Sequence, residues 1–435
     1  MQTISEVRDG FKETEIGLIP EDWKVAKLKD VSDFKNGINF TREQKGNTGI
    51  LTVDVLNMYD EGLYINLQNL YRVNKKIPDE YLLRDGDILF VRSSLKQEGV
   101  GWASLFKGIN EPVTFCGFII RARLKSPNIS PDFLAYFLRS SIARKRLVSS
   151  SGKVAITNIN QGMLGALTIP IPPFIEQQKI AFILSKIQQA IQQQEKIIEA
   201  TKNLKKSLMH KLFTEGTRGE EQKETEIGLI PRSWDIKNLS DVAKLTSGGT
   251  PNRRVSQYFG GTIPWVKSGE LEDNTIFDTE EKITEEGLRN SSAKIFPRGT
   301  LLIAMYGATV GKTAILGIEA ATNQAVCAVF PKNNILTTEF LRYYIIFARH
   351  RLLSERFGGA QPNISQTILR NIRIVIPPLT EQQEIACVLT YTDKKIEIEE
   401  RRKATLQQLF KTMLNKLMTG EIRVKDIDLG VINVS

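Results

Sequence analysis

The sequence is poor in the residues that build metal centres, disulfide frameworks and histidine-based catalytic sites. Only three of its 435 residues are cysteine and only two are histidine. Cys116, Cys327 and Cys387 lie far apart without paired spacing, which argues against a disulfide framework and a cysteine zinc site. His210 and His350 leave little material for a histidine-rich metal site or for nucleophilic catalysis. We therefore expect no metal site and no catalytic residue in this chain.

Long apolar runs are missing as well. No stretch approaches 18 uninterrupted apolar residues, and the first residues lack the apolar core of a signal peptide. These absences predict a cytoplasmic protein that does not bind membranes. The composition is otherwise ordinarily globular, with 41% hydrophobic and 25% charged residues. A chain of this length should form two to three domains.

Acidic residues are too few to balance the basic ones. Lysine and arginine number 59 against 49 aspartates and glutamates, which gives a formal net charge of +10. A positive surface favours a polyanionic partner, most simply nucleic acid, because it attracts the phosphate backbone. The same balance is also compatible with a basic protein that has no such partner.

Two copies of one plan make up the chain. The segment KETEIGLIP occurs at residues 12–20 and again at residues 223–231, and each copy is followed by a tryptophan, Trp23 or Trp234. A second repeat, IPPxxEQQ, occurs at residues 171–178 and 376–383. A long internal repeat predicts two related structural units. Two units suggest two related targets that are read at a fixed separation.

Each copy predicts a mixed α/β unit followed by a long helix. Strands are predicted over residues 85–92 and 118–124, with a helix at about 131–150, and the second copy repeats this order at 298–305, 325–330 and 338–356. The helices after Pro173 and Pro378 carry apolar positions at alternating steps of four and three, as in a coiled coil. Gly216 and Gly420 should end them. The alternative is two amphipathic helices, each packed only on its own unit.

Two motifs resemble catalytic or cofactor-binding sequences but lack their essential residues. Between Gly307 and Gly311 there are three residues, whereas a phosphate-binding Walker A loop has four and continues into a helix. Adenine methyltransferases carry a polar residue before Pro-Pro-aromatic, and that polar residue holds the flipped base. Ile171 stands at this position here. We therefore expect neither ATP binding nor methyl transfer by this chain.

Basic residues recur in register on the last helix of each unit. ARKRL at residues 143–147 aligns with ARHRL at residues 348–352, and polar, glycine-containing segments follow both. Arginine and lysine contact phosphates, whereas asparagine and glutamine can read base edges. These positions predict DNA contacts, although a solvated helix face and an ordinary loop would show the same pattern.

The repeats, the PPxxEQQ helix openings, the run LIAMYGATVGK at residues 302–312 and SGGTP at residues 247–251 closely resemble the specificity subunit of type I restriction–modification enzymes. The resemblance covers essentially the whole chain. The first unit carries RSSLKQEGVG at residues 92–101 in place of the GATVGK form. We therefore expect two different recognition domains that do not present equivalent residues.

The resemblance implies two pseudo-symmetric α/β target-recognition domains separated by two long antiparallel helices that form a coiled coil. The expected boundaries are 1–170 for the first domain, 171–216 for the first helix, 217–375 for the second domain, 376–425 for the second helix and 426–435 for a tail. Each domain would read one half of a bipartite, asymmetric site in double-stranded DNA. Two methyltransferase subunits would dock on the helices, and two restriction–translocase subunits would join for cleavage.

The resemblance assigns chemistry to the partners and recognition to this chain. S-adenosylmethionine and ATP with magnesium are expected on the partner subunits, and adenine N6 methylation and restriction would be theirs. The residues that we expect to contact DNA are Arg92, Ser93, Lys96, Arg144, Arg146, Lys153 and Asn158 in the first unit, and Lys267, Ser268, Lys312, Arg349, Arg351, Gln361 and Asn363 in the second. The main alternative function is a duplicated coiled-coil scaffold whose globular heads bind proteins. A self-contained DNA enzyme is the third possibility.

Overall fold

The computed structural model describes residues 9–59, 62–94, 97–149, 157–354 and 363–428. The chain divides into two compact units, and the division falls inside both long helices: the first unit comprises residues up to Lys196 and from Glu400 onward, and the second comprises Ile197–Glu399. Both units are mixed α/β, and the chain contains two long helices. The predicted fold class is therefore confirmed.

The first unit opens with short strands and ends at the first long helix. Its strands are β1 (Phe11–Thr14), β2 (Gly17–Pro20), β3 (Lys24–Lys27), β4 (Ser32–Asn36), β5 (Lys45–Gly46), β6 (Ile50–Val53), β7 (Tyr71–Val73), β8 (Ile88–Val91), β9 (Ser93–Ser94), β10 (Ala103–Leu105), β11 (Val113–Phe115), β12 (Ile119–Leu124), β13 (Thr157–Asn158) and β14 (Thr168–Ile171). Its helices are α1 (Leu28–Val31), α2 (Pro131–Arg139), α3 (Ser141–Ser149), α4 (Gln161–Gly165) and α5 (Phe174–Thr214), which continues into the second unit.

Two four-stranded sheets form the body of the first unit. One is antiparallel, in the order β10-β8-β12-β4, and the other has the order β11-β6-β7-β5 with β11 parallel to β6. Strand β8 is buried on both faces. It therefore reads as a continuous apolar run rather than an alternating one. Its two faces serve different cores, because Ile88 and Phe90 pack with α2 residues whereas Leu89 and Val91 pack against the second sheet.

The second unit repeats this order. Its strands are β15 (Gln222–Thr225), β16 (Gly228–Pro231), β17 (Asp235–Asn238), β18 (Ala243–Ser247), β19 (Phe259–Val266), β20 (Asn274–Ile276), β21 (Glu281–Ile283), β22 (Ile295–Phe296), β23 (Leu301–Ala304), β24 (Thr313–Leu316), β25 (Ala320–Thr322), β26 (Val326–Pro331) and β27 (Arg373–Ile376). Its helices are α6 (Leu239–Val242), α7 (Glu285–Arg289), α8 (Thr338–Ser354), α9 (Gln366–Arg370) and α10 (Leu379–Met418), whose last part belongs to the first unit.

Sheet order shows which strands of the two units correspond. The five-stranded sheet β18-β26-β23-β24-β20 repeats the β4-β12-β8-β10 arrangement and adds β20, which is parallel to β24. The second sheet has the order β21-β19-β25-β22, with β19 parallel to β25. In both units a hairpin therefore joins the central strand to its neighbour, β8 to β10 and β23 to β24.

Within each unit the two long helices pack antiparallel. In the first unit Lys403 of α10 binds Glu195 of α5 at 2.8 Å, while Lys179 near the start of α5 donates to the carbonyl of Lys425 beyond the end of α10. In the second unit Lys205 binds Asp393. The helices also join the apolar core of each unit through residues such as Ile180 and Ile385. Helix pairing and packing on the globular part therefore occur together.

The IPPxxEQQ repeat joins each long helix to its unit through buried hydrogen bonds. The indole Nε1 of Trp23 donates to Glu176 at 3.0 Å, and that of Trp234 donates to Glu381 at 3.0 Å. The neighbouring Gln177 accepts from the amide of Ser130 and donates to two carbonyls. Since buried polar groups need partners, the conserved spacing between the two copies follows from this bonding.

Gln382 makes the equivalent bonds in the second unit. It accepts from the amide of Thr337 and donates to the carbonyls of Ile335 and Pro377. Both long helices begin directly after their Pro-Pro pair, as predicted, and Gly216 and Gly420 follow their ends with positive φ angles of 70° and 67°.

One predicted helix is wrong. Residues 131–149 form two helices rather than one, because Ser140 between α2 and α3 has extended backbone with ψ of 158°. The Ser140 hydroxyl accepts from the amide of Ala143 and so caps the second helix. The corresponding segment of the second unit is the single helix α8.

Candidate nucleic-acid interface

In each unit the hairpin from the central strand ends in a glycine-bearing turn with the same backbone bonds. The amide of Gly101 donates to the carbonyl of Val91, and that of Gly311 to Ala304, both at 2.8 Å. Gly101 and Gly311 have φ of 64° and 76°, a conformation that glycine adopts without strain. The run at residues 302–312 is therefore a strand and a hairpin turn, followed by strand β24 rather than by the helix that a phosphate loop requires.

The predicted asparagines lie beside these hairpins. The amide of Ile159 donates to the carbonyl of Arg92 at 3.0 Å, and the amide of Ile364 donates to the carbonyl of Met305 at 2.8 Å. Asn158 and Asn363 precede these isoleucines, and both are exposed. Asn158 is also paired with Ser93 across strands β13 and β9.

A third segment completes the cluster in each unit. The amide of Arg92 donates to the carbonyl of Phe118, and the amide of Met305 donates to the carbonyl of Ala325, both at 2.8 Å. The glycine that follows β4 or β18, Gly37 or Gly248 of the SGGTP motif, packs directly on this part of the chain. A Cβ atom at Gly248 would lie 2.1 Å from the carbonyl oxygen of Thr322, and one at Gly37 would lie 2.0 Å from that of Cys116.

We call these three segments together the loop cluster of each unit. In the first unit they are the hairpin turn (residues 92–94 and 98–102), residues 116–118 and residues 158–159. In the second unit they are the hairpin turn (residues 305–312), residues 323–325 and residues 363–364. The two clusters share their backbone bonds although their side chains differ. The expectation that the units present different residues holds for the side chains, but the backbone arrangement beneath them is equivalent.

In the first cluster Arg92, Ser93 and Asn158 are brought together. The Arg92 side chain is exposed, and its Nη1 donates to the carbonyl of Gly117 at 3.5 Å. Its guanidinium therefore remains largely available to a ligand. Lys96 and Lys153 lie outside the described residues.

Lys267 and Ser268 lie beside the second cluster, which contains Lys312. Ser268 is joined to the turn because its carbonyl accepts from the hydroxyl of Thr309 at 2.7 Å. Lys312 forms an ion pair with Glu272, and Lys267 forms ion pairs with Glu280 at 2.7 Å and Glu281 at 3.1 Å. The side-chain hydrogen bond to Glu280, followed by that to Glu281, raises the pKa of Lys267. Gln361 lies outside the described residues.

Arg144 and Arg349 contact the protein backbone rather than solvent alone. Nη1 of Arg144 donates to the carbonyl of Val100 at 2.7 Å, and Nη2 donates to that of Glu98 at 2.6 Å. Nε of Arg349 donates to the carbonyl of Gly311 at 2.9 Å, and its Nη2 binds Asp273. Both arginines therefore hold the turn of their hairpin.

Arg351 lies on the same helix but contacts a different part of the unit. Its Nη1 donates to the carbonyl of Ile227, and its Nη2 donates to the hydroxyl of Tyr344, both at 3.2 Å. Arg146, its counterpart in the repeat, lies near enough to Glu15 to lower the pKa of that carboxyl, although the Lys27 and Thr168 hydrogen bonds lower it more. Both residues lie near the repeated KETEIGLIP hairpin rather than at the loop cluster.

Two exposed aromatic residues of the loop clusters were not among the predicted contacts. Phe118 is 56% exposed and Tyr306 is 39% exposed. Large exposed aromatic side chains can stack on bases or contact the thymine methyl group. Phe118 follows Gly117 and Tyr306 precedes Gly307, and no feature of the sequence alone showed that these two aromatic residues face outward.

The described part of the chain holds no group of three or more histidine, cysteine, aspartate or glutamate residues that could bind a metal ion. Among the described helices, none combines the length and apolar character needed to cross a membrane.

Comparison with known proteins decides the family. The model of the type I restriction modification DNA specificity domain matches the chain twice, over residues 20–202 and 231–408. The chain belongs to this family. Each match contains one loop cluster and most of one long helix, so the internal repeat corresponds to two target-recognition domains. The predicted identity as a type I specificity subunit is confirmed.

Specificity subunits from archaea and bacteria resemble the whole chain. A Methanocaldococcus jannaschii chain named as the candidate specificity subunit of type I restriction enzyme MjaX is 30% identical over 424 residues, covering 96% of this chain and 97% of that protein. The EcoKI specificity subunit of Escherichia coli is 23% identical over 438 residues, covering 93% of this chain and 90% of its own.

Solved structures share the fold. A chain from a study of complex assembly and conformational transition of the type I restriction–modification system superposes with a TM-score of 0.62 at 18% identity, covering 93% of this chain and 99% of its own. The specificity subunit from M. genitalium gives a TM-score of 0.57 at 16% identity, covering 95% of this chain and 98% of that structure.

Proposed function

We propose that this specificity subunit directs a type I methyltransferase to a bipartite, asymmetric DNA site, each recognition domain reading one half. In this proposal the loop clusters contact double-stranded DNA, and the long helices dock two methyltransferase subunits. Two restriction–translocase subunits join the complex for cleavage. Adenine N6 methylation and restriction then occur only where both halves of the site are present.

One observation carries the proposal: two loop clusters with the same backbone bonds present different side chains. Arg92 and Phe118 of the first cluster stand where the second has Met305 and Ala325. Exposed Arg92 can bind guanine bidentately, whereas Met305 is buried and the second cluster exposes the adjacent Tyr306 instead. A shared frame with unlike reading residues fits two different half-sites.

We further propose that the chain itself is not catalytic. S-adenosylmethionine would bind the methyltransferase subunits, and ATP with magnesium would bind the translocase subunits. The motif at residues 307–313 supports this division, because it folds as a hairpin turn. A binding measurement with S-adenosylmethionine and ATP on the isolated chain tests it, and saturable binding of either ligand would contradict the assignment.

The test of DNA recognition is a mobility shift of the chain with its methyltransferase partner on DNA that contains the mapped methylated site. We expect selective binding that weakens steeply with salt, since each phosphate contact contributes about 0.9 to the slope of log K against log salt. Binding that ignores sequence, together with saturable capture of a protein by the globular heads, would instead support a scaffold.

Two variants of the second cluster separate reading from positioning on the phosphates. Asn363→Ala should relax preference in one half-site, because a lost base contact costs about 1–3 kcal/mol at that position. Lys312→Ala should weaken binding to all sequences and lower the salt slope by about 0.9. Lys312 must leave Glu272 to do so, and an unchanged salt slope would remove it from the interface.

A further inference from the structure

The turn of the second hairpin is held by one arginine from helix α8. Arg349 donates Nε to the carbonyl of Gly311, and its Nη2 binds Asp273. Asp273 in turn accepts from the amide and hydroxyl of Thr313 at 2.9 and 3.0 Å. A single guanidinium therefore connects α8 to the residues on either side of Lys312, to Gly311 directly and to Thr313 through Asp273.

Arg144 occupies the same place in the first unit but uses other partners. It donates to the carbonyls of Val100 and Glu98, immediately before Gly101. Its guanidinium also lies 5.8 Å from the ring centre of Trp102. Desolvation by burial lowers the pKa of Arg144. The Arg144 guanidinium has therefore lost hydrogen bonds to water and bonds backbone carbonyls instead.

The geometry of the two glycines shows how close this contact is. A Cβ atom at Gly311 would lie 3.1 Å from Cγ of Arg349, and one at Gly101 would lie 3.4 Å from Nη1 of Arg144. The positive φ at each glycine turns its carbonyl or that of its neighbour toward the helix. The turn, the glycine and the arginine therefore form one packed unit that two different loop sequences have retained.

We propose that Arg144 and Arg349 are positioning residues that fix the DNA-reading turns and do not themselves contact DNA. The inference rests on the proposed function and revises the expectation that both arginines bind DNA directly. The planar fork of arginine suits this role, because it can bond two acceptors at once, whereas lysine offers a single flexible ammonium group. Each arginine fixes the conformation of the turn in its own domain, and that turn reads one half-site.

The first measurement is made on the free full-length chain and needs no DNA. Arg349→Gln should speed amide hydrogen exchange in residues 310–312 by roughly tenfold or more, because bonds from a charged donor are lost and the turn opens locally. Arg144→Gln should do the same for residues 100–102. Each variant serves as the control for the other, since the turn of the unaltered unit should exchange as before.

The second measurement uses the chain assembled with its methyltransferase partner on the mapped site. Arg349→Gln should lower discrimination against changes in the half-site read by the second domain by about tenfold, with discrimination in the other half retained. In the Lys312→Ala background the same change should leave the salt slope unaltered, since Arg349 itself makes no phosphate contact. Arg349→Lys should not restore discrimination, because a lysine ammonium group keeps the charge but cannot bond Gly311 and Asp273 at the same time.

Arg370→Gln is the matched control for losing a structural arginine in the same domain. Arg370 donates to the carbonyl of Leu245 on β18, away from the turn, so discrimination should be unaffected. A salt slope that falls by about a further 0.9 when Arg349→Gln is added to Lys312→Ala would show a direct phosphate contact by Arg349 and overturn the inference.

Two other outcomes would also overturn the inference: unchanged exchange in the turns, or equal loss in both half-sites. If the wild-type complex shows no sequence preference, the proposed function itself fails. The exchange result then still reports whether the arginines hold the turns, so the two failures can be told apart.

Discussion

The two units pack their long helices against a tyrosine in chemically different ways. In the first unit the hydroxyl of Tyr136 bonds to Gln188 of α5 at 3.1 Å, and its ring contacts that of Phe410 of α10. In the second unit the hydroxyl of Tyr343 donates to Asp393 of α10 at 2.8 Å. Lys205 of α5 lies over that ring and pairs with Asp393.

The Trp–Glu bond, by contrast, is the same in both units. Trp23 and Trp234 are completely buried and bond to carboxylates that are 1% exposed. A buried carboxylate needs every partner it has, so few substitutions can replace this contact. The tyrosine rings are buried as well, but Gln188 and Asp393, which bond to their hydroxyls, are only half-buried, so a neutral amide and an ion pair can both serve there. The comparison indicates that the side chains of the two units can differ where water can replace a lost hydrogen-bond partner.

The largest expected effect comes from the shared contact. Trp234→Ala should destabilise the second unit by about 3–5 kcal/mol, because it leaves a cavity and removes a donor from buried Glu381. Trp23→Ala should cost less, since Glu176 keeps two charge-assisted hydrogen bonds from Arg423, at 2.8 and 2.9 Å, whereas Glu381 keeps only the neutral donors of Thr217. Urea unfolding followed by hydrogen exchange in each unit measures both.

Trp→Phe variants at the same positions are the controls, because they keep most of the ring and remove only the indole N–H. We expect a cost of about 1–3 kcal/mol from the lost hydrogen bond to the buried carboxylate. Equal losses for Trp23→Ala and Trp234→Ala would contradict the compensating role of Arg423.

Much of the packing between the long helices and the two units could be predicted from the sequence, because residues that recur in both copies mark contacts that both units make. The duplicated IPPxxEQQ segment correctly located the start of each long helix, and the repeats indicated the two related units that the family match also finds. The break at Ser140 could not be predicted, since the capping bond to Ala143 depends on local geometry that a helical apolar pattern does not reveal.

The candidate site was less predictable than the frame. Asn158 and Asn363 were singled out by their place in the repeat, and the structure places both beside the hairpins. Arginines 144 and 349 were selected by the same argument, yet their guanidinium groups contact the backbone. Residue type and spacing place a side chain on the right element, but its direction depends on carbonyls that come from distant segments.

The two anchored turns should differ in their response to acid. Burial raises the pKa of Asp273, but the hydrogen bond from Arg349 and those from Thr313 outweigh it and hold the pKa below its usual value. Stability from a lowered pKa is present above the unfolded pKa of about 3.9 and is lost as pH falls through the folded pKa. The second turn should therefore stay anchored at pH 5–8 and loosen only below about pH 4.

Asp273→Asn tests this difference at neutral pH. It should weaken the anchoring of residues 310–312 by about 1–3 kcal/mol, because a charge-assisted bond becomes a neutral one. Residues 100–102 are the internal control, since Arg144 binds carbonyls, which do not titrate. Hydrogen exchange corrected for intrinsic rates measures both turns, and equal acid sensitivity of the two would contradict the prediction.

Exchanging the tyrosine partners should have a smaller effect. Lys205→Phe alone leaves Asp393 without its cation and should cost about 1 kcal/mol, because the pair is partly exposed. Adding Asp393→Gln recreates the chemistry of the first unit and should recover most of that loss, as paired replacement of an ion pair is often neutral. A double variant less stable than the single one in urea unfolding would show that the contact is not interchangeable.

The smallest effect is expected from moving the chain ends. A Cβ at Gly420 would lie 2.3 Å from Pro20 and 3.3 Å from Trp23, and one at Gly216 would lie 3.1 Å from Pro231 and 3.2 Å from Trp234. The end of α10 therefore meets the first unit as the end of α5 meets the second, although only the latter junction is covalent.

A circular permutant should exploit this equivalence. It would be opened before exposed Gly219, whose added Cβ would touch nothing within 4 Å, and the original ends would be joined. Stability should change by less than about 1 kcal/mol, since doubling a loop costs only about 0.6 kcal/mol. Discrimination in both half-sites should persist. A soluble permutant that reads one half-site only would show that the covalent link at residues 216–222, and not the packing of Gly216 on Trp234, sets the second domain.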